Sequence, residues 1–183
     1  YQGKNIIPYG GIPDIYYWNF QKRLILKVFG KSEKDVYIKT HKKGLLSTPD
    51  TRMDPLYIIK NLPSNVKIKE SPDFRYMRYS ADLLIINVAT STISWALSSN
   101  VPVIYLNLEK CPLEDEVYDE MKKSLFLIDI KDNNNWESEL LELLQSPIQE
   151  INKEWENMSN ARDKFIKYYV SGHKRGKNDF GTD

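Results

Sequence analysis

Asp82-Leu83-Leu84-Ile85-Ile86-Asn87-Val88 runs straight into Ala89-Thr90-Ser91-Thr92, and the reading of this junction decides the fold. The apolar centre is uninterrupted, which is the pattern of a strand covered on both faces. Thr90-Ser91-Thr92 then caps a helix expected through Ser98. Val101-Pro102-Val103-Ile104-Tyr105-Leu106 follows as another nearly all-apolar strand. Strand, helix and strand at this short spacing call for a right-handed crossover and parallel pairing.

The same alternation extends in both directions. Upstream, apolar residues at helical spacing (Ile15, Trp18, Leu24, Val28) predict a helix over 14–29, capped by Asp14 and ended by Gly30. Val36-Tyr37-Ile38-Lys39-Thr40 and Val66-Lys67-Ile68-Lys69 read as strands, with a short helix opened by Asp54-Pro55 over 54–61 between them. Ser71-Pro72-Asp73 begins a helical turn running to Ser80. Downstream come a helix over 114–123, a strand over 125–130, and amphipathic helices over 136–145 and 148–169 separated by Ser146-Pro147. The expected fold is α/β: a Rossmann-like doubly wound parallel sheet of about five or six strands with a C-terminal helical arm. Its expected divisions are a connecting loop over 1–13, the Rossmann-like domain over 14–147, a C-terminal helix over 148–170 and a tail over 171–183.

A chain of 183 residues with 41% hydrophobic and 28% charged side chains fits one globular domain, not a disordered or fibrous chain. Lys plus Arg number 26 against 25 for Asp plus Glu, so no global charge draws the chain to nucleic acid. The single cysteine, Cys111, excludes an intramolecular disulfide and a cysteine zinc cluster, and fits a reducing, cytoplasmic setting. His41 and His173 are the only histidines, which rules out a histidine-rich metal site. The longest apolar runs are strand-sized, so no transmembrane segment is expected in this chain. Beginning at Tyr1, it is expected to be part of a longer protein, whose membrane attachment stays open. Gly-x-Gly-x-x-Gly, P-loop and Gly-x-Ser-x-Gly signatures are all lacking.

Open parallel sheets bind ligands outside the carboxyl ends of their strands. Three segments end strands there: Thr40-His41-Lys42-Lys43-Gly44, Asn87 through Thr92, and Asn107-Leu108-Glu109-Lys110. Free N–H groups at the helix start, with the hydroxyls of Thr90, Ser91 and Thr92, suit a phosphate or diphosphate. The same residues also serve as ordinary helix caps. Lys39, His41 and Lys42 add cations and an imidazole at a neighbouring strand end. Asn87, Glu114 and Glu116 are candidates for ribose or base contacts; acids at 114–116 equally suit a first helical turn. The aromatics Tyr16, Tyr17, Trp18, Trp136, Trp155, Tyr168 and Tyr169 are read as core.

Ile38-Lys39-Thr40-His41-Lys42 resembles the strand-end lysine, x, His-Pro element of GT-B glycosyltransferases, with Lys42 in place of proline. Ala81-Asp82 and its strand, Ala89-Thr90-Ser91-Thr92, Ala96-Leu97 and Val101-Pro102-Val103-Ile104 resemble, in order and spacing, their C-terminal nucleotide-binding half. The likeness covers about residues 35–130 and is nearest to bacterial surface-polysaccharide and capsule transferases, including the CDP-glycerol and Kdo transferase types. Two positions depart from it. Trp95 stands where many GT-B enzymes carry the glutamate that binds the donor ribose, and Asn100-Val101 replaces a glycine.

The resemblance implies the donor-binding half of a glycosyltransferase for surface polysaccharide. Its ligand would be a nucleotide-sugar of the CMP/CDP or UDP type, held by Lys39, His41, Lys42, Thr90, Ser91 and Thr92, with no tightly bound cofactor and no required metal. His41 is the one candidate acid or base. The acceptor would be bound by an N-terminal domain missing from this chain, so the chain alone would bind donor without turnover. Two alternatives stay open: half of a GT-B-like sugar-nucleotide epimerase, and a non-catalytic Rossmann-like interaction module.

Overall fold

β1 (Val36–Lys39) and β2 (Val66–Lys69) are short strands that alternate apolar and polar residues, and they pair in parallel with Val36 opposite Val66. The computed structural model that shows this describes residues 14–39, 62–69, 73–87, 91–108, 115–131 and 133–171. The expected loop over 1–13, the helix over 54–61 and nearly all of the tail lie outside the described residues. A second ladder is built from β3 (Leu84–Ile86), β4 (Val103–Asn107) and β5 (Phe126–Asp129), parallel throughout and in the order β3-β4-β5.

The α/β class and the parallel pairing are as expected, but the single sheet is not. Among the described residues the five strands form two ladders, of two and three strands. Apolar patterning dictates which face a strand buries and says nothing about which backbone edges meet, so periodicity could not place this division. β3 is also shorter than its apolar run. Leu84 N–H donates to Pro102 O at 2.9 Å, and Pro102, lacking an N–H, cannot continue the ladder at that end.

Seven α-helices accompany the strands among the described residues: α1 (Asp14–Arg23), α2 (Phe74–Met77), α3 (Ser91–Leu97), α4 (Asp115–Ser124), α5 (Trp136–Gln145), α6 (Ile148–Asn157) and α7 (Ser159–Phe165). None is long and apolar enough to cross a membrane. α1 does not stop at Arg23: it widens to π winding over Leu24–Val28 and tightens to a 3₁₀ turn over Phe29–Lys31. Gly30 sits inside that turn. A Cβ there would lie 2.7 Å from Pro63 Cγ, so close approach of the chain before β2 explains the glycine.

Asn65 fixes the same corner. Its Nδ2 lies 2.8 Å from Phe29 O, 2.8 Å from Ser32 O and 2.9 Å from Lys34 O, and its main-chain carbonyl accepts from Val36 N–H at 2.8 Å. One side chain thereby ties the end of the α1 segment to the starts of β1 and β2.

β4 is the centre of the core, with Val103, Ile104, Tyr105 and Leu106 fully buried. Helix α5 packs on β5 and on Leu24–Val28, with Trp136 against Phe20 at 5.6 Å between ring centroids. Helix α4 packs on β5 and on α7, and α3 packs on β3 and on the π-wound Ile166–Val170 that ends the arm.

The arm was expected as one helix, and it breaks at Met158 into α6 and α7. Arg162 makes the break stable. It is buried, donates to Trp155 O at 2.8 Å, and lays its guanidinium 3.8 Å from the Trp155 ring centroid. Burial draws the Arg162 pKa below its ordinary value. Ile151, Trp155 and Phe165 join the same hydrophobic cluster as β4.

Candidate functional site

Each strand of the larger ladder ends in a polar side chain on its carboxyl side: Asn87 just beyond β3, Asn107 on β4 and Asp129 on β5. Asn107 and Asp129 are register partners, and Asn107 Nδ2 donates to Asp129 Oδ1 at 2.6 Å. Tyr118, on α4, donates its hydroxyl to the other oxygen, Asp129 Oδ2. That hydrogen bond, then burial, then the charge of Asp129 push the Tyr118 pKa up to about 12. Asp129 is partly buried, and both of these partners are neutral donors.

Asn107 has its other atom in an unusual state: Oδ1 is buried with no hydrogen-bond partner among the described residues. An orphaned buried acceptor costs about 1–3 kcal/mol. The amide could not be turned to relieve this without facing an oxygen toward Asp129. Orientation of the carboxylate therefore prevails over satisfaction of the amide. Further along the edge, Asn87 Nδ2 donates to the Tyr17 hydroxyl of α1 at 3.1 Å.

The smaller ladder presents cations. Lys39 ends β1 and Lys69 ends β2, with Lys69 Nζ 5.0 Å from the Tyr37 ring centroid. Asp73 caps α2, accepting from the backbone N–H and the Nε of Arg75, each at 3.0 Å. The Arg75 backbone N–H, then its side chain, with help from the charge of Lys39, hold the Asp73 carboxyl below its ordinary range. The Arg75 guanidinium in turn lies 5.5 Å from the ring centroid of Trp95 on α3. The segment after β2 thus reaches the helix that follows β3, and the charge of Lys39 at the end of β1 acts on its cap.

The expected site residues divide accordingly. Ser91 opens α3, Thr92 follows it in the first turn, and Lys39 stands at the end of β1. Thr92 is partly buried and already engaged with a partner. Glu116 lies exposed in the first turn of α4, also engaged. His41, Lys42, Thr90 and Glu114 lie outside the described residues. Of the aromatics expected in the core, Trp136 and Trp155 are buried, and Tyr16 and Tyr17 pack against the core partly buried.

Sequence reasoning did not single out Asp129, Tyr118 or Arg75; it read Tyr17 only as core and named Asn107 only as part of a strand-end segment. The available signal was position: an acid closing the apolar run Leu125-Phe126-Leu127-Ile128, and an amide closing Val103-Ile104-Tyr105-Leu106. Among the described residues no three His, Cys, Asp or Glu side chains converge as a metal would require. The smaller ladder instead ends in Lys39 and Lys69, and the larger in Asn107 and Asp129. No protein-family model matches the chain, and no curated protein is significantly similar to it.

Proposed function

We propose that this chain is the donor-binding half of a GT-B-like glycosyltransferase of surface-polysaccharide synthesis, holding a nucleotide-sugar along the carboxyl ends of its strands. In this reading the two ladders lie edge to edge with β1 nearest β3, in Rossmann-like order although no ladder joins them among the described residues. The strand order then reverses between β1 and β3, and a ligand crevice belongs at that reversal. The observation that carries the reading is the Arg75–Trp95 contact, together with the charge of Lys39 acting on Asp73. It supports a common edge on which Lys39 flanks one side of the reversal and Asn87, Ser91 and Thr92 the other. The donor's phosphates rest on the N–H groups and hydroxyls of Ser91 and Thr92. Lys39, His41 and Lys42 neutralise charge on the leaving group, an electrostatic role that needs no proton transfer.

The test is calorimetric titration of the chain with CMP, CDP, UMP, UDP and GDP at low salt, with and without magnesium. Saturable binding of one base family is expected, and Ser91→Ala with Thr92→Ala should weaken it about tenfold. Absence of binding to a cooperatively folded chain would overturn the reading. It would favour a non-catalytic interaction module, which the engagement of Asn87 with Tyr17 already suits. That module tolerates charge reversal at Lys39 and Lys42. An epimerase half is separated by product analysis, since epimerisation consumes no acceptor.

A further inference from the structure

The edges of the two ladders are electrically unlike. The smaller ends in Lys39 and Lys69, with Arg75 just beyond it paired to Asp73, while the larger ends in a carboxylate, Asp129, whose partners among the described residues are the neutral donors Asn107 and Tyr118. We propose that Asp129 is a ligand-binding carboxylate that accepts a pair of hydroxyls from the bound nucleotide-sugar, with Asn107 and Tyr118 as positioning residues. This rests on the nucleotide-sugar reading and assigns the end of the ligand remote from its phosphates.

The carboxylate has about four acceptor positions. Asn107 occupies one on Oδ1 and Tyr118 one on Oδ2, so each oxygen keeps a lone pair and the plane of the group is held from both sides. That is the arrangement a vicinal diol needs, since its two O–H groups must meet two oxygens at once. Neutral donors leave the negative charge in place, which turns phosphate away and favours hydrogen-bond donors. Neighbouring strands lie about 4.8 Å apart, so the end of β5 stands about 10 Å from the end of β3. A diphosphate near Ser91 and Thr92 is separated from its ribose or sugar hydroxyls by a distance of that order. The unsatisfied Asn107 Oδ1 is a cost of this arrangement that core packing does not explain.

The experiment compares affinities of the whole chain for pyrophosphate, UDP, 2′,3′-dideoxy-UDP and UDP-glucose, with the cytidine counterparts, in wild type, Asp129→Asn and Tyr118→Phe. If the diol is the ribose, the dideoxy nucleotide binds about tenfold more weakly than UDP or CDP. If it is the sugar, the glucose conjugate binds about tenfold more tightly than the bare diphosphate. Either preference collapses to about twofold or less in Asp129→Asn and shrinks in Tyr118→Phe, while pyrophosphate affinity is not reduced. Nucleotide binding with no hydroxyl preference in wild type, or with the preference intact in Asp129→Asn, overturns the role of Asp129 and leaves the donor reading standing. Absence of binding to every nucleotide overturns both.

Discussion

Asn107 and Asp129 face one another as the last register pair of β4 and β5, and a 2.6 Å hydrogen bond joins their side chains. The two strands are thereby tied at the carboxyl edge where parallel sheets place ligands. Tyr118 reaches the same carboxylate from α4, so sheet and helix converge on a single group.

Asp129→Asn should return the Tyr118 phenol from about 12 toward its ordinary value near 10.0, read as one tyrosine equivalent in an ultraviolet or ¹³C titration. A raised folded-state pKa contributes stability that is present below pH 10 and lost as pH rises through 12. Wild-type melting temperature should therefore fall across that window more steeply than that of Tyr118→Phe. Equal slopes would mean that the phenol and carboxylate do not interact.

Leu106 is fully buried on the central strand, and truncating it leaves a cavity that close-packed neighbours cannot fill. Leu106→Ala should destabilise the fold by about 2–5 kcal/mol in denaturant unfolding. A cost under about 1 kcal/mol would show that β4 is not the centre of the core.

Asn100 has φ 61°, the left-handed conformation in which glycine is at ease and asparagine is tolerated. It fills the turn between α3 and β4. Asn100→Gly should keep stability within about 1 kcal/mol of wild type, whereas Asn100→Val should lose about 1–2 kcal/mol. Equal stability of the two variants would contradict the backbone assignment.

Gly30→Ala drives a methyl group to 2.7 Å from Pro63 Cγ, and a proline ring cannot rotate aside as a flexible side chain would. Displacement of the chain before β2 should cost about 1–3 kcal/mol. Pairing Gly30→Ala with Pro63→Ala should recover part of that loss, which a double-mutant cycle measures directly.

The buried strand at Val103-Ile104-Tyr105-Leu106 and the helix at 136–145 were readable because their patterns are local: an apolar run after a proline, and helical periodicity bounded by Ser146-Pro147. The break at Met158 was not readable, because no glycine or proline marks it; Arg162 stabilises it by folding back onto Trp155. The strand-end rule pointed to the carboxyl edge and so to Asn87, Ser91 and Thr92. Asp129 escaped notice because its distinction comes from being opposite Asn107 and beneath Tyr118, facts of register and helix placement. The gap between two ladders lay equally beyond reach, since edge pairing leaves no periodic trace.

Asn65 holds the amino ends of β1 and β2 together through its bonds to Phe29, Ser32 and Lys34 and through the carbonyl that receives Val36 N–H. The alignment of the two strands is thus held from the residue immediately before β2. Loss of that one amide would therefore be felt in where Val36 meets Val66, before it is felt anywhere along the strands.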